Sequence, residues 1–137
     1  MKIREVMTTN PVMLDSTAPV LQAAQAMRER DIGDVVVRHD GKPCGIVTDR
    51  DIVVRVLAAG KDPKSTKLDS VCSHEMLTVA PDQDTSDAIR IMRERAIRRL
   101  PVVENNHVLG IVSLGDLAMK LDPHSTLGDI CAASPTH

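Results

Sequence analysis

Apolar residues fall along this chain at helical spacing, then in short continuous runs, and the whole order then recurs. Ile3, Val6 and Met7 have the spacing of a short helical turn, and Asn10-Pro11 marks a change of direction. Val12-Met13-Leu14 predicts a short strand. Ser16-Thr17 predicts a helix cap with Pro19 in the first turn, and Val20, Ala23, Ala24 and Met27 keep helical spacing to about Arg30. Residues 35–38 form a β-branched strand, Asp40-Gly41 signals a hairpin turn, and residues 44–48 return. A further helix from near Asp49 is predicted to stop at Gly60, where a left-handed residue suits a helix end.

The second passage gives a strand at 77–79, a helix at 85–95, a strand at 100–103, a turn at Asn105-Asn106, a strand at 108–113 and a helix at 114–121. The two passages pair without a gap at an offset of 65 residues, from Val6 and Val71 to Asp51 and Asp116. Gly45-Ile46-Val47-Thr48-Asp49-Arg50-Asp51 returns as Gly110-Ile111-Val112-Ser113-Leu114-Gly115-Asp116. The expected division is a first repeat over 1–62, a polar connector over 63–67, a second repeat over 68–122 and a tail over 123–137. In the tail, Leu127, Ile130 and Cys131 echo Leu68, Val71 and Cys72, which predicts a short docking helix, with 134–137 frayed.

Duplication of this kind predicts two similar half-domains with two similar clefts. A half of roughly 60 residues is marginal alone, so the halves are expected to share a core. The expected class is α+β: two pseudo-symmetric repeats, each a small three-stranded sheet with two helices on one face. The stretch Ile52-Val53-Val54-Arg55-Val56-Leu57-Ala58-Ala59 is apolar on nearly every side. Such a helix is usually covered on both sides, which predicts a homodimer through its outer face.

Composition narrows the function. A net charge of −2 gives no electrostatic case for nucleic acid or membrane as partners. The absence of Phe, Tyr and Trp removes the stacking platforms that single-strand binders use, so any flat ring bound here lies between aliphatic side chains. Cys44, Cys72 and Cys131 are odd in number and form no C-x-x-C pair, from which reduced thiols and a cytoplasmic location are expected. No leader is visible, and the apolar runs are too short to span a bilayer.

A repeated unit with a β-branched strand, a G-h-h-(T/S)-x-x-D turn and a helix, together with Arg99-Leu100-Pro101-Val102-Val103, resembles the cystathionine-β-synthase (CBS) domain in its tandem form, the Bateman module. The resemblance covers roughly residues 3–122 and extends to stand-alone two-repeat bacterial members. It implies a regulatory, non-enzymatic module that needs no cofactor. It also implies an adenine nucleotide or related adenosyl compound (AMP, ADP, ATP or similar) as regulatory ligand, bound in clefts between the repeats. In such modules the acid of the turn bonds the ribose hydroxyls, and the Thr or Ser lies near ribose and phosphate. Carried over, these are Asp51 with Thr48, and Asp116 with Ser113. Groups flanking the base are Val12, Ile32 and Gly33 in one half and Leu77, Ile97 and Arg98 in the other. Arg50, Arg98 and Arg99 are candidate phosphate contacts. The halves diverge at Asp49-Arg50 against Leu114-Gly115, and at Gly33-Asp34-Val35-Val36 against Arg98-Arg99-Leu100-Pro101. The two sites are therefore expected to differ.

A carboxylate can accept from both hydroxyls of a ribose, and charge-assisted bonds of this kind exceed neutral ones. The same spacing also reads as a helix capping box, a purely structural device, and the two roles are compatible. Arg90, Arg93 and Arg95 read as a solvated helix face interleaved with Asp87 and Glu94. Met27 and Met92 read as packing residues. Cys72, His74 and Cys131 do not supply the four convergent ligands of a zinc site, and no catalytic arrangement stands out. The leading expectation is a homodimeric sensor that passes its signal to an unknown effector protein or through its own oligomeric state. The alternative is an adaptor with vestigial sites acting through its helical surface. A nucleic-acid binder using the arginines of the second half ranks last.

Overall fold

The computed structural model describes residues 1–74 and 76–133, so the expected fraying of 134–137 lies outside it. In chain order the elements are a 3-10 turn Ile3–Glu5, β1 Thr8–Thr9, β2 Met13–Asp15, α1 Val20–Arg30, β3 Asp34–His39 and β4 Lys42–Thr48. Next come α2 Asp49–Ile52, a π-helical continuation Val53–Leu57 and a second 3-10 turn Leu68–Ser70. The chain ends with α3 Thr85–Arg95, β5 Arg99–Glu104, β6 His107–Ser113, α4 Leu114–Leu121 and α5 Thr126–Ala132. The class is α+β, with two helices packed on a three-stranded sheet in each half.

Contacts divide the chain into two compact units that do not follow the sequence repeat. One runs Pro11–Met76; the other joins Met1–Asn10 to the chain from Leu77 onward. We call them the first and second units. In the second, the amides of Ile3 and Arg4 donate to the carbonyls of Gln83 (2.9 Å) and Pro81 (3.0 Å), and Thr85 donates to Met1 (2.9 Å). In the first, Leu68 and Asp69 donate to Ala18 and Ser16 (both 3.0 Å), and Val20 donates to Thr66 (2.8 Å). Every one of these bonds has its counterpart at the 65-residue offset. The leading segment of each sequence repeat thus docks on the loop and helix start of the other repeat.

The sheets obey the same exchange. The first unit orders β2-β3-β4, with β2 parallel and β4 antiparallel to β3, and an isolated bridge joins Ile46 to Ser73. The second orders β1-β6-β5, with Thr8 opposite Ile111 and Thr9 opposite Gly110, and a parallel bridge joins Val79 to Val102. The strand expected at 77–79 is therefore reduced to that bridge, and the third strand of the second sheet comes from the beginning of the chain. A glycine permits the approach in each unit. A β-carbon on Gly45 would lie 2.3 Å from the Ser73 carbonyl oxygen, and one on Gly110 would lie 2.4 Å from that of Thr8.

Each unit has its own apolar cluster, where a single shared core was expected. In the first unit it joins Val20, Ala23, Val35, Val37, Val47, Val56 and Leu68. In the second it joins Ile3, Val6, Ala88, Leu100, Val102, Val112 and Leu117. Ile3 and Leu68, both fully buried, are equivalent residues at the 65-residue offset.

Three local differences from the sequence reading have simple causes. Helix α1 starts at Val20 with Pro19 as its N-cap rather than in its first turn; the Ser16 hydroxyl pairs instead with His39 Nδ1 (3.1 Å), and Thr17 bonds Asp15. The helix after Thr48 widens to π geometry after one turn, although Gly60 takes the expected left-handed conformation (φ 71°). The tail does form a helix on α4, but its buried contact is Gly128; Ile130 points outward at 66 % exposure. No helix among the described residues is long and apolar enough to cross a membrane.

Candidate functional site

Both matched turns are built identically. β4 ends on Thr48, which stays extended while the chain turns into α2. Thr48 Oγ1 accepts from the Asp51 amide (3.1 Å), and Asp51 Oδ2 accepts from the Thr48 amide (2.9 Å). Ser113 and Asp116 repeat this box at the start of α4 with the same two distances. The first helical amide is satisfied from behind: Asp49 donates to the Gly33 carbonyl (3.1 Å) and Leu114 to the Arg98 carbonyl (2.9 Å). Together these bonds pair amides that would otherwise be orphaned, and a side-chain cap alone is worth about 1 kcal/mol.

The capping reading therefore holds at both acids, and it engages Oδ2 with the cap amide. The second oxygen, Oδ1, is where the units part. At Asp51, whose side chain is 18 % exposed, Oδ1 lies 3.8 Å from Arg55 Nε, and Arg55 Nη1 donates to the Val71 carbonyl (2.9 Å). At Asp116, Oδ1 faces the Thr8 hydroxyl at 3.3 Å, with Oδ2 at 3.5 Å from the same hydroxyl. Thr8 and Arg55 escape sequence reasoning. Thr8 lies about a hundred residues from its partner, and nothing local marks a two-residue polar strand.

The other predicted site residues are placed as follows. Val12 packs partly buried on the first cluster and its carbonyl accepts from Val36 (2.9 Å); Ile32 packs on the same cluster. Arg50 is exposed. In the second unit, Leu77 and Ile97 pack on the cluster, and Arg99 stands opposite Ser113 across β5 and β6. Arg98 and Ile97 also line an apolar groove of about 550 Å³, between α3, α4 and α5, where Ile89, Leu114, Leu121 and Leu127 are found.

Cys72 is nearly buried, and desolvation, helped by Cys44 and Asp69, pushes its thiol up to about 11. Burial also raises Cys44. A thiol titrating that high is almost wholly protonated at pH 8, where the thiolate is the reactive form. Cys72 is therefore expected to resist a disulfide reagent in the native protein and to react once urea unfolds it. Native labelling of Cys72 as fast as that of the unfolded chain would contradict this. His74 is exposed and pairs with the Asp69 carbonyl (2.8 Å). Among the described residues, no three His, Cys, Asp or Glu side chains converge on a metal-sized site.

Two exchanged α+β units, each closing on a capped acid after Gly-Ile-Val, define a duplicated module of the regulatory type. The chain belongs to the CBS domain family, whose model matches residues 3–58 and 68–131. It is 34 % identical to the CBS domain-containing protein YhcV of Bacillus subtilis over 92 % of this chain and 89 % of that one. It is 32 % identical to hypoxic response protein 1 of Mycobacterium tuberculosis, over 89 % of this chain and 86 % of the relative. A crystal structure of hypoxic response protein with two coordinated zinc ions superposes with a TM-score of 0.80, at 30 % identity, covering 88 % of this chain and 98 % of that one. A hexameric CBS-CP12 protein from bloom-forming cyanobacteria gives 0.80 at 34 % identity, over 90 % of this chain and 72 % of the other.

Proposed function

We propose that this CBS pair is a sensor of an adenosine-containing ligand, AMP, ADP, ATP or a related compound, whose ribose diol is held by a capped acid, with Asp51 and Asp116 as the two candidates. One observation carries the reading. In both repeats the acid satisfies its helix cap through Oδ2, and among the described residues Oδ1 meets only the side chain of a neighbour, Arg55 in one unit and Thr8 in the other. A cap alone needs one acceptor, whereas a vicinal diol needs a carboxylate with spare lone pairs. Val12, Ile32, Leu77 and Ile97, the aliphatic residues that the family resemblance sets beside the base, suit its faces in a protein with no aromatic ring. Ligand binding would act by favouring one arrangement of the module over another, and the signal would pass to an effector protein or into assembly state.

Calorimetry and thermal unfolding with AMP, ADP, ATP and S-adenosylmethionine test the proposal. A ligand at a hundred times its dissociation constant should stabilise the protein by about 2.7 kcal/mol. Asp51→Ala with Asp116→Ala should abolish that gain; no stabilisation by any of the four, or a gain that survives the double variant, rejects the reading.

A homodimer through the outer helices accompanies this function, and an adaptor role through the same surface is the second reading. Both are supported by the π-helical segment, where Val53, Val54 and Leu57 are 55 %, 48 % and 60 % exposed while Val56 is buried. The hexameric state of the cyanobacterial relative is a further support for assembly.

A further inference from the structure

The two acids differ in what occupies Oδ1, and that difference ranks them. We infer that Asp116, completed by Thr8, is the working ribose clamp, and that Arg55 withholds Asp51; the inference rests on the ligand reading above.

An ionised carboxylate offers about four lone-pair positions. At Asp116 the Ser113 amide takes one and the Thr8 hydroxyl another (2.9 and 3.3 Å), which leaves two, the number a vicinal diol requires. Both partners are neutral donors, so the carboxylate keeps its full charge for the incoming hydroxyls. Thr8 also arrives on the edge strand β1, whose register with Ile111 fixes where its hydroxyl stands. It acts as a positioning residue, holding the carboxylate plane by a long bond that leaves the remaining lone pairs open.

At Asp51 the corresponding place is taken by a cation. Arg55 Nε stands 3.8 Å from Oδ1, and the guanidinium does not swing freely, because Nη1 is tied to the Val71 carbonyl at 2.9 Å. An exposed ion pair adds little to stability. It does, however, draw off the charge a diol would use, and a ligand must displace a group anchored elsewhere. The 65-residue equivalents show that this arrangement is specific to one unit. Lys120 stands in the place of Arg55 and forms no ion pair with Asp116, and Ser73 stands in the place of Thr8 and makes no bond to Asp51, among the described residues.

The test is titration calorimetry of the full chain with AMP, adenosine and 2′,3′-dideoxyadenosine, on wild type, Asp51→Asn, Asp116→Asn, Arg55→Gln and Thr8→Val. Asparagine keeps an acceptor for the cap amide, so the helix starts survive. We expect Asp116→Asn to weaken AMP and adenosine binding by about tenfold or more, the usual result of losing a charge-assisted bond, and Asp51→Asn to leave it within about twofold. Arg55→Gln should add a second binding equivalent. Thr8→Val should weaken adenosine but not the dideoxy compound, a distinction that general loosening of β1 would not make. A greater loss in Asp51→Asn than in Asp116→Asn, an unchanged stoichiometry in Arg55→Gln, or an equal loss for both nucleosides in Thr8→Val overturns the ranking while the ligand reading stands. Binding that is absent throughout, or untouched by both asparagine variants, removes the ligand reading and the ranking with it.

Discussion

Replacing Ile3 with alanine is expected to destabilise the protein by about 2–5 kcal/mol, the range for emptying a buried Leu, Ile or Met site. The loss should fall on the unit that contains α3, β5, β6 and α4. Ile3 is fully buried, and its cluster joins it to Val79, Ala88, Leu100 and Val112 of the second repeat rather than to the strands of its own repeat. Hydrogen exchange resolved by residue, alongside urea unfolding, checks both the size and the place. Amides of β5 and β6 should lose protection first, whereas Leu68→Ala, its equivalent, should loosen β3 and β4. A loss below about 0.5 kcal/mol, within the range of ordinary surface changes, or protection lost mainly from residues 11–76 in the Ile3 variant, would refute the exchange of leading segments.

The second large effect is expected at Gly110. A β-carbon there meets the Thr8 carbonyl oxygen at 2.4 Å and the Met7 side chain at 3.1 Å. Backbone must move, and the movable part is β1, held by only two residue pairs. Gly110→Ala should cost about 1–3 kcal/mol, as overpacking does, and should detach Thr8 and Thr9 from β6. Gly115→Ala is the control. Its β-carbon would sit 3.6 Å from Cys131 Sγ, an ordinary contact, and glycine within a helix is itself mildly unfavourable. Thermal unfolding of the two variants should therefore move in opposite directions or leave Gly115→Ala unchanged. A Gly110→Ala protein as stable as wild type would show that β1 does not depend on this close approach.

What the sequence disclosed followed the range of the interactions involved. Helices α3 and α4 were legible to the residue, because helical periodicity and a capping pattern are local signals. So were the hairpin turns, where Asp40-Gly41 and Asn105-Asn106 all take positive φ. The Thr48–Asp51 and Ser113–Asp116 spacing was legible as a choice between cap and ligand, and the structure gives the cap at both. Long-range matters stayed hidden. Thr8-Thr9 has no apolar alternation to mark it as a strand, and the strand expected at 77–79 looked equivalent to the one expected at 12–14, although among the described residues of 77–79 Val79 alone pairs. The glycines of the repeated motif were visible, but the carbonyls that press on them come from segments far along the chain. The ion pair at Asp51 is different again. Its i,i+4 spacing was available in the sequence, yet its hold depends on the Val71 carbonyl, which only the folded chain brings within reach.

The exchange of leading segments also bears on how such a chain could arise. Because each segment docks on the other repeat through matched bonds, two separate copies of one ancestral repeat could have made the same contacts by swapping their first dozen or so residues. Joining the two copies end to end would turn an exchange between molecules into one within a single chain. The pair would then no longer fall apart on dilution, and each copy's acid would be free to acquire a different neighbour.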